Sequence, residues 1–145
     1  MHNQTISKQN TSKTPSRHQT RLVAIQAVIE GLCTNFKHNI ANYLTHCTIN
    51  IDQTMCKKIY ECVHENGKML TDILQTHVMS KNFDLMDVTY KAILYCAVAE
   101  MIYLHTPIKV LISEYILLSK RLIQGSGYKL IHSVLDCLNK KEAKI

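Results

Sequence analysis

One uninterrupted apolar run, residues 92–99, constrains the fold of this chain more than any other feature. It reads Ala-Ile-Leu-Tyr-Cys-Ala-Val-Ala and is flanked by Lys91 and Glu100. A helix that is apolar on every side has to be buried, and this run is far shorter than the roughly 20 residues that a membrane span needs. The rest of the chain must therefore bury it, and we predict that residues 87–104 form the central helix of a small bundle.

Residues that break helices are scarce in this chain, which favours an all-α fold. Only four Gly and two Pro occur in 145 residues, too few for the tight turns of an all-β fold. With 46% hydrophobic residues, the chain can bury a core without disulfide or metal staples. We therefore predict one helical domain over residues 16–145, after a polar, disordered tail at residues 1–15.

Apolar residues at intervals of three and four predict about six helices. The first begins after Ser16 and ends near residues 33–37, and a short second helix ends near Thr48. A long third helix runs through Gly67 to Val78, the central helix follows, and two more cover the segments after Pro107 and from Tyr128 to Asn139. Candidate N-terminal caps precede four of them: Ser16, Asp52, Asp84 with Asp87, and Thr106 followed by Pro107.

Positive charge is concentrated at the N-terminus. Of the net charge of +6, four charges come from Lys8, Lys13, Arg17 and Arg21, which all precede the first acidic residue, Glu30. Arg17 and Arg21 are four residues apart and are expected on one helix face. This segment indicates either an arm that binds a polyanion or a solubilising tail.

The sequence offers no constellation that is typical of an enzyme. Cys56, Cys62 and His64 lack the paired spacing of structural zinc sites. The glycines at 125 and 127 lack the strand and the Lys-Ser/Thr pair of a phosphate-binding loop. We therefore expect no catalytic residue, no metal and no cofactor. The six cysteines and the lack of an apolar signal segment predict free thiols in the reducing cytoplasm.

Four passages together resemble the NusB family of bacterial transcription antitermination factors. The first, residues 17–28, has an arginine-containing start and then Ala-Ile-Gln-Ala-Val, similar to the family's Ala-x-Gln-Ala-Leu. The second, residues 91–101, resembles its Lys/Arg-Ala-Ile-Leu and Tyr-Glu-Leu segment. The third, residues 107–114, resembles Pro-x-Lys-Val-Ala-Ile-Asn-Glu, and the fourth, residues 129–136, resembles Lys/Arg-Phe-Val-Asn-Gly-Val-Leu-Asp.

The resemblance implies an all-helical bundle of six to seven helices in two packed subdomains, here residues 16–80 and 81–145. It also implies a protein without enzymatic activity. Members of the family bind boxA RNA of ribosomal RNA operons together with NusE, a small-subunit ribosomal protein. The complex joins transcribing RNA polymerase and other Nus factors and suppresses premature termination.

The resemblance also implies which residues carry this function. Its RNA-facing candidates are Arg17, His18, Arg21 and Lys129, and its weaker partner-facing candidates are Tyr90, Lys91 and Glu114. Several positions depart from the family pattern, since His18 and Gln19 stand where arginines are usual and Tyr90 replaces an acidic residue. These departures fall at the RNA-facing arm and at the partner-facing candidates.

Two alternatives remain open from the sequence. The reduced number of arginines allows a protein adaptor that binds NusE or RNA polymerase without RNA. The same fold also serves as an accessory domain of ribosomal RNA methyltransferases, although no methyl-donor-binding domain is expected in these 145 residues.

Overall fold

The computed structural model describes residues 14–77 and 83–143, with side chains through residue 140. Within these ranges the chain forms seven α-helices, one short 3₁₀ turn and no strand. The prediction of an all-helical bundle of six to seven helices is confirmed. The elements are α1 (Arg17–Thr34), α2 (Ile40–Thr45), α3 (Gln53–Glu65), α4 (Gly67–His77), the 3₁₀ turn (Phe83–Leu85), α5 (Val88–Tyr103), α6 (Ile108–Leu122) and α7 (Tyr128–Ala143).

Helix α5 is the centre of the bundle, as its apolar run predicts. Every residue from 92 to 100 is buried, and α5 packs against α1, α3, α4, α6 and α7. Neighbours on all sides explain why this helix has no polar face between those positions. They also mean that α5 contacts helices from both predicted subdomains. The division near residue 80 itself stays a prediction.

Three of the predicted N-terminal caps are present. The Ser16 hydroxyl accepts a hydrogen bond from the Gln19 backbone N–H at 3.2 Å. The Asp52 carboxylate accepts a hydrogen bond from the Met55 backbone N–H at 3.0 Å. Each satisfies an amide that has no partner inside its helix. At the start of α5 the cap is Asp87, which accepts from Thr89 at 2.9 Å, whereas Asp84 lies in the preceding 3₁₀ turn.

The sequence predicts one helix through Gly67 with a bend at that glycine, whereas the structure goes further and separates α3 from α4 at Asn66. The Asn66 backbone N–H and side-chain amide both donate to the Cys62 carbonyl, at 2.9 and 3.2 Å. This double contact ends α3, and the Asn66 carbonyl then accepts from Leu70 as α4 begins. The second helix is also shorter than predicted and ends at Thr45.

The predicted cap of the next helix is wrong as well. The N-cap residue of α6 is Pro107, and no side chain accepts a hydrogen bond there. The Thr106 hydroxyl instead donates to the buried Glu100 carboxylate at 2.8 Å. Helix α7 also continues beyond the predicted end at Asn139, to Ala143.

Most of the predicted N-terminal tail, residues 1–13, lies outside the described residues. Within the part of the chain that the structure describes, no helix is long and apolar enough to cross a membrane.

Candidate functional site

Arg21 lies at a junction where α1, α5 and α6 meet, and its side chain is only 2% exposed. Its Nε donates to both oxygens of Glu100, at 3.1 and 3.0 Å, and its Nη2 donates to Glu100 Oε1 at 2.6 Å. Its Nη1 donates to Glu114 Oε1 at 3.1 Å. One guanidinium therefore holds a carboxylate from each of the two other helices, a task that suits its fixed fork of donors.

Glu100 is a fully buried carboxylate whose oxygens accept donors from three elements. Besides the Arg21 hydrogen bonds, it accepts one from the Tyr115 hydroxyl at 2.7 Å and one from the Thr106 hydroxyl at 2.8 Å. Burial of a charge is costly unless it is paired and hydrogen-bonded, and this carboxylate is both. We call the five residues of this network the buried junction: Arg21, Glu100, Thr106, Glu114 and Tyr115.

The buried junction changes the ionisation of its members. Burial raises the pKa of Tyr115 well above its usual value, and the neighbouring Glu100 charge raises it further. For Arg21, burial acts to lower the pKa, but the hydrogen bond and charge of Glu100, together with Tyr115 and Glu114, outweigh it, so the pKa of Arg21 is raised. The guanidinium thus stays charged and the phenol stays neutral in the folded protein.

The expectation that Arg21 shares an exposed, RNA-facing surface with Arg17 is wrong. Helical spacing puts the two residues on similar faces, but Arg21 is one turn deeper and is covered by α5 and α6. Its guanidinium is directed to carboxylates inside the protein and is not accessible to a phosphate. Arg21 therefore organises the surface around it without being part of that surface.

The other predicted RNA-facing residues remain on the surface, and two cations of α6 join them. Arg17 is exposed and His18 is 28% exposed at the start of α1. The Arg121 Nη1 lies 3.2 Å from His18 Nε2. The first turn of α1 therefore meets the last turn of α6.

A second contact links α6 to the start of α7. The Lys120 ammonium lies 4.8 Å from the centre of the Tyr128 ring, and Lys129, the fourth predicted RNA-facing residue, follows Tyr128 and is exposed. We call the resulting set the basic surface: Arg17, His18, Lys120, Arg121 and Lys129.

Two of the predicted partner-facing residues, Tyr90 and Lys91, lie together in the first turn of α5. The Lys91 ammonium lies 5.8 Å from the centre of the Phe83 ring. Tyr90 packs so closely against Gly127 that a Cβ added there would overlap its hydroxyl. Tyr90 also lines a surface groove of about 590 Å³. We call this the Tyr90 groove: Leu85, Met86, Asp87, Tyr90, Ser126, Gly127 and Leu130.

Glu114, the third predicted partner-facing residue, does not lie near the Tyr90 groove. It belongs to the buried junction, where it is 25% exposed and contacts Arg21 and His18. Its neighbour in that junction, Glu100, is ten residues beyond Tyr90 on α5, a separation of about 15 Å along a helix. The structure therefore groups Glu114 with the RNA-facing candidates.

Three surface residues were missed by the reasoning from sequence. Lys120 and Arg121 form a basic pair in the last turn of α6, which is a common helix-ending pattern and gives no sign of proximity to α1. Leu85 is 83% exposed at the edge of the Tyr90 groove. The sequence feature that could have identified Leu85 is its position between Asp84 and Met86, outside any helical periodicity.

The cysteines contribute no metal site within the described ranges. No group of three or more His, Cys, Asp or Glu residues there is placed to hold a metal ion. Burial, with smaller contributions from the nearby Cys47 and Asp52, raises the pKa of Cys56 to about 12. Such a thiol stays protonated and behaves as a small apolar side chain.

Comparisons with known proteins agree on one family. The model of the NusB family matches residues 18–140. The chain is 25% identical to the transcription antitermination protein NusB of Rickettsia akari (strain Hartford), over 94% of this chain and 99% of that protein.

Two solved structures share the fold. T. maritima NusB superposes with a TM-score of 0.76 at 22% identity, and the match covers 88% of this chain and 92% of that one. A chain of the structure described as "Crystal Structure of a Plectonemic RNA Supercoil" superposes with a TM-score of 0.75 at 15% identity, covering 88% and 98% of the two chains.

Proposed function

Since the chain belongs to the NusB family, we propose that it is a transcription antitermination factor that binds boxA-type RNA of ribosomal RNA operons. In this proposal it binds the RNA together with the ribosomal protein NusE, and the complex acts on transcribing RNA polymerase with other Nus factors. The name of the Rickettsia akari relative supports the antitermination role.

The basic surface is the observation that supports RNA binding in this proposal. Arg17, Lys120, Arg121 and Lys129 are exposed, and none of the four is paired with a carboxylate in the part of the chain that the structure describes. Cations of this kind bind phosphates and release counterions, which provides affinity without sequence preference. Arg21 supports this role indirectly, because the buried junction fixes α1 against α6 and so sets the spacing of the cations.

The Tyr90 groove supports the protein-binding part. Leu85 is 83% exposed beside the half-buried ring of Tyr90. A large exposed apolar side chain next to a groove is typical of an anchor in a protein interface. Asp84 and Asp87 are exposed on either side of Leu85. Their charge favours a basic partner, such as a ribosomal protein.

RNA binding is tested by titrating boxA-type RNA with the wild-type protein and with Arg17→Gln and Lys129→Gln. If each of these residues binds one phosphate, each variant should bind RNA more weakly. Its plot of log affinity against log salt should also be shallower by about 0.7 for the phosphate that it no longer binds. Lys58→Gln, an exposed lysine on α3, is the matched control and should match the wild type. RNA affinity that is unchanged in both variants would contradict the proposal.

Partner binding is tested with NusE and the variant Leu85→Ser. Loss of a buried interface anchor costs about 2 kcal/mol or more, which corresponds to roughly a thirtyfold loss of affinity. Leu117→Ser is the control, because Leu117 is also exposed but lies on α6. Equal NusE affinity of wild-type protein and Leu85→Ser would exclude the Tyr90 groove as the docking site.

A second candidate function, an RNA-independent adaptor, is favoured by the burial of Arg21, which removes one cation from the RNA-facing candidates. It predicts a complex with NusE that forms without RNA and weakens little with salt. The proposed antitermination factor predicts instead that NusE increases RNA affinity. Measuring RNA affinity with and without NusE at fixed salt therefore separates the two functions.

A further inference from the structure

A surface cleft between α1 and α2 shares no residue with the basic surface or the Tyr90 groove. Its volume is about 610 Å³, which lies within the range of ligand pockets. Helix α1 provides one wall, and α2 with the segment that follows it provides the other. We call it the α1–α2 cleft, and its lining includes Val23, Gln26, Glu30, Asn42, Tyr43 and Ile49.

Part of this lining is apolar. Val23 is only 3% exposed and forms the base of the cleft. The ring of Tyr43 is half-buried beside it, and Ile49, at the outer end, is 48% exposed. The cleft therefore offers apolar surface and one face of an aromatic ring to a side chain that enters it.

The charge of the cleft comes from Glu30. Among the described residues, it is the only carboxylate in the lining, and no lysine or arginine accompanies it there. Glu30 is exposed, and it forms no ion pair with another described side chain. Burial is the main cause that raises the pKa of Tyr43, and Glu30 is the largest of the charges that add to it. The carboxylate therefore lies near the phenol.

This combination favours one kind of side chain over the alternatives. A phosphate would be repelled by the Glu30 carboxylate, and a purely apolar residue would leave that carboxylate without a partner. Arginine has an apolar stem and a planar guanidinium, which binds a carboxylate through two parallel hydrogen bonds and stacks on aromatic rings. The ammonium of lysine lacks both the plane and the fork of donors.

We propose that the α1–α2 cleft binds an arginine side chain of a partner protein. The guanidinium donates to Glu30 and stacks on Tyr43, and the stem lies over Val23. Glu30 is 13 residues beyond Arg17 on the same helix, a separation of about 20 Å. The partner and an RNA on the basic surface are therefore able to bind at the same time, and the inference does not depend on the proposed RNA binding.

The test is an NMR titration with three blocked amino acids: the N-acetyl methylamides of arginine, lysine and citrulline. Citrulline has nearly the shape of arginine but no charge. The titration is run at low salt and at about pH 8, above the range in which histidine ordinarily changes charge. Signals of the cleft residues should shift with arginine, and citrulline should bind about fivefold more weakly or worse. Lysine should fall between the two.

Two variants assign the affinity to its parts. In Glu30→Gln, arginine should bind no better than citrulline, because the charge that distinguishes them is gone. In Tyr43→Leu, arginine should lose more affinity than lysine, because the planar group loses its stacking partner. Glu61→Gln, which changes an exposed glutamate on α3, is the matched control and should bind all three compounds as the wild type does.

Several outcomes would overturn the proposal. Equal affinity of arginine and citrulline in the wild type would show that Glu30 does not select a cation, and the absence of any shift would show that the cleft binds neither. Shifts of Glu30 and Tyr43 on addition of a short RNA would assign the cleft to nucleic acid. Shifts of the same signals on deletion of residues 1–13, with no compound added, would assign it to the chain's own N-terminal segment. A failure of RNA binding at the basic surface would contradict the proposed function and leave this inference standing.

Discussion

The two ends of the central helix α5 are fixed by different physical means. At its C-terminal end, Glu100 is held by charge, through Arg21 and two hydroxyl donors. At its N-terminal end, Tyr90 is held by shape, through its close packing on Gly127. The first end supports the basic surface, and the second supports the Tyr90 groove. The same buried helix therefore positions both candidate binding surfaces.

The difference between the two ends teaches which changes each one tolerates. A buried ion pair is sensitive to the removal of either partner, because the remaining charge stays uncompensated. A close packing contact is sensitive to added volume, because the neighbouring side chains have to move to make room. Four variants, ordered by expected effect, test this distinction.

The largest effect is expected at the charged end. Glu100→Ala leaves Arg21 buried without its main partner and should lower the free energy of unfolding by about 3–5 kcal/mol. Urea unfolding at pH 7 measures this decrease in the free energy of unfolding. Glu61→Ala, an exposed glutamate on α3, should stay within about 0.5 kcal/mol of the wild type. A decrease below about 1 kcal/mol in Glu100→Ala would contradict the importance of the buried junction.

A smaller effect is expected for Tyr115→Phe, which removes one hydrogen bond to the Glu100 carboxylate. The expected decrease in the free energy of unfolding at pH 7 is about 1.5–3 kcal/mol, the range for hydrogen bonds to charged groups.

The same variant should be less sensitive to alkali. Because the pKa of Tyr115 is raised in the folded state, its contribution to stability is complete below the pKa of the unfolded chain and is lost as the pH rises above it. The unfolding free energy of the wild type should therefore fall more steeply above about pH 10 than that of Tyr115→Phe. Parallel curves for the two proteins would argue against this assignment.

The shape-dependent end is probed by Gly127→Ala. The added Cβ overlaps the Tyr90 hydroxyl and the Ile123 side chain, and overpacking of this kind costs about 1–3 kcal/mol. Combining it with Tyr90→Phe removes one of the two overlapping groups and should restore part of the stability. Gly67→Ala is the control, since nothing lies within 4 Å of its added Cβ, and it should stabilise α4 by up to about 1 kcal/mol.

The smallest effect is expected for Lys91→Gln at the same end of α5. It removes the ammonium near the Phe83 ring, and a cation–π interaction at a partly exposed site is worth about 0.5–1 kcal/mol. Thermal unfolding in low and high salt is the measurement. An effect as large as that of Glu100→Ala would mean that the N-terminal end of α5 also depends on charge.

The sequence predicted the parts of the fold that depend on local pattern. The apolar run at residues 92–99 identified the most buried helix, because nothing but burial on all sides explains it. Ser16, Asp52 and Asp87 were identified as caps because their oxygens satisfy amides two or three residues away. These interactions involve short sequence distances, so a single sequence carries enough information to predict them.

The rest of the candidate site depends on distant contacts, and there the reasoning from sequence failed. Arg21 and Arg17 look alike in the sequence, and the carboxylates that distinguish their environments, Glu100 and Glu114, are 79 and 93 residues from Arg21. Thr106 has the sequence of a helix cap, but the same carboxylate binds its hydroxyl. Arg121 joined the basic surface through His18, which is 103 residues away. No local pattern records such pairings.

The buried junction also bears on the order of events during protein synthesis. Arg21 is made early, but its partners Glu100 and Glu114 follow 79 and 93 residues later. A nascent chain therefore carries a basic first helix long before it can bury Arg21 or bring Arg121 to His18. Contacts this distant form late, after the intervening chain is available. The complete basic surface is thus present only when α6 and the first residues of α7 have been made.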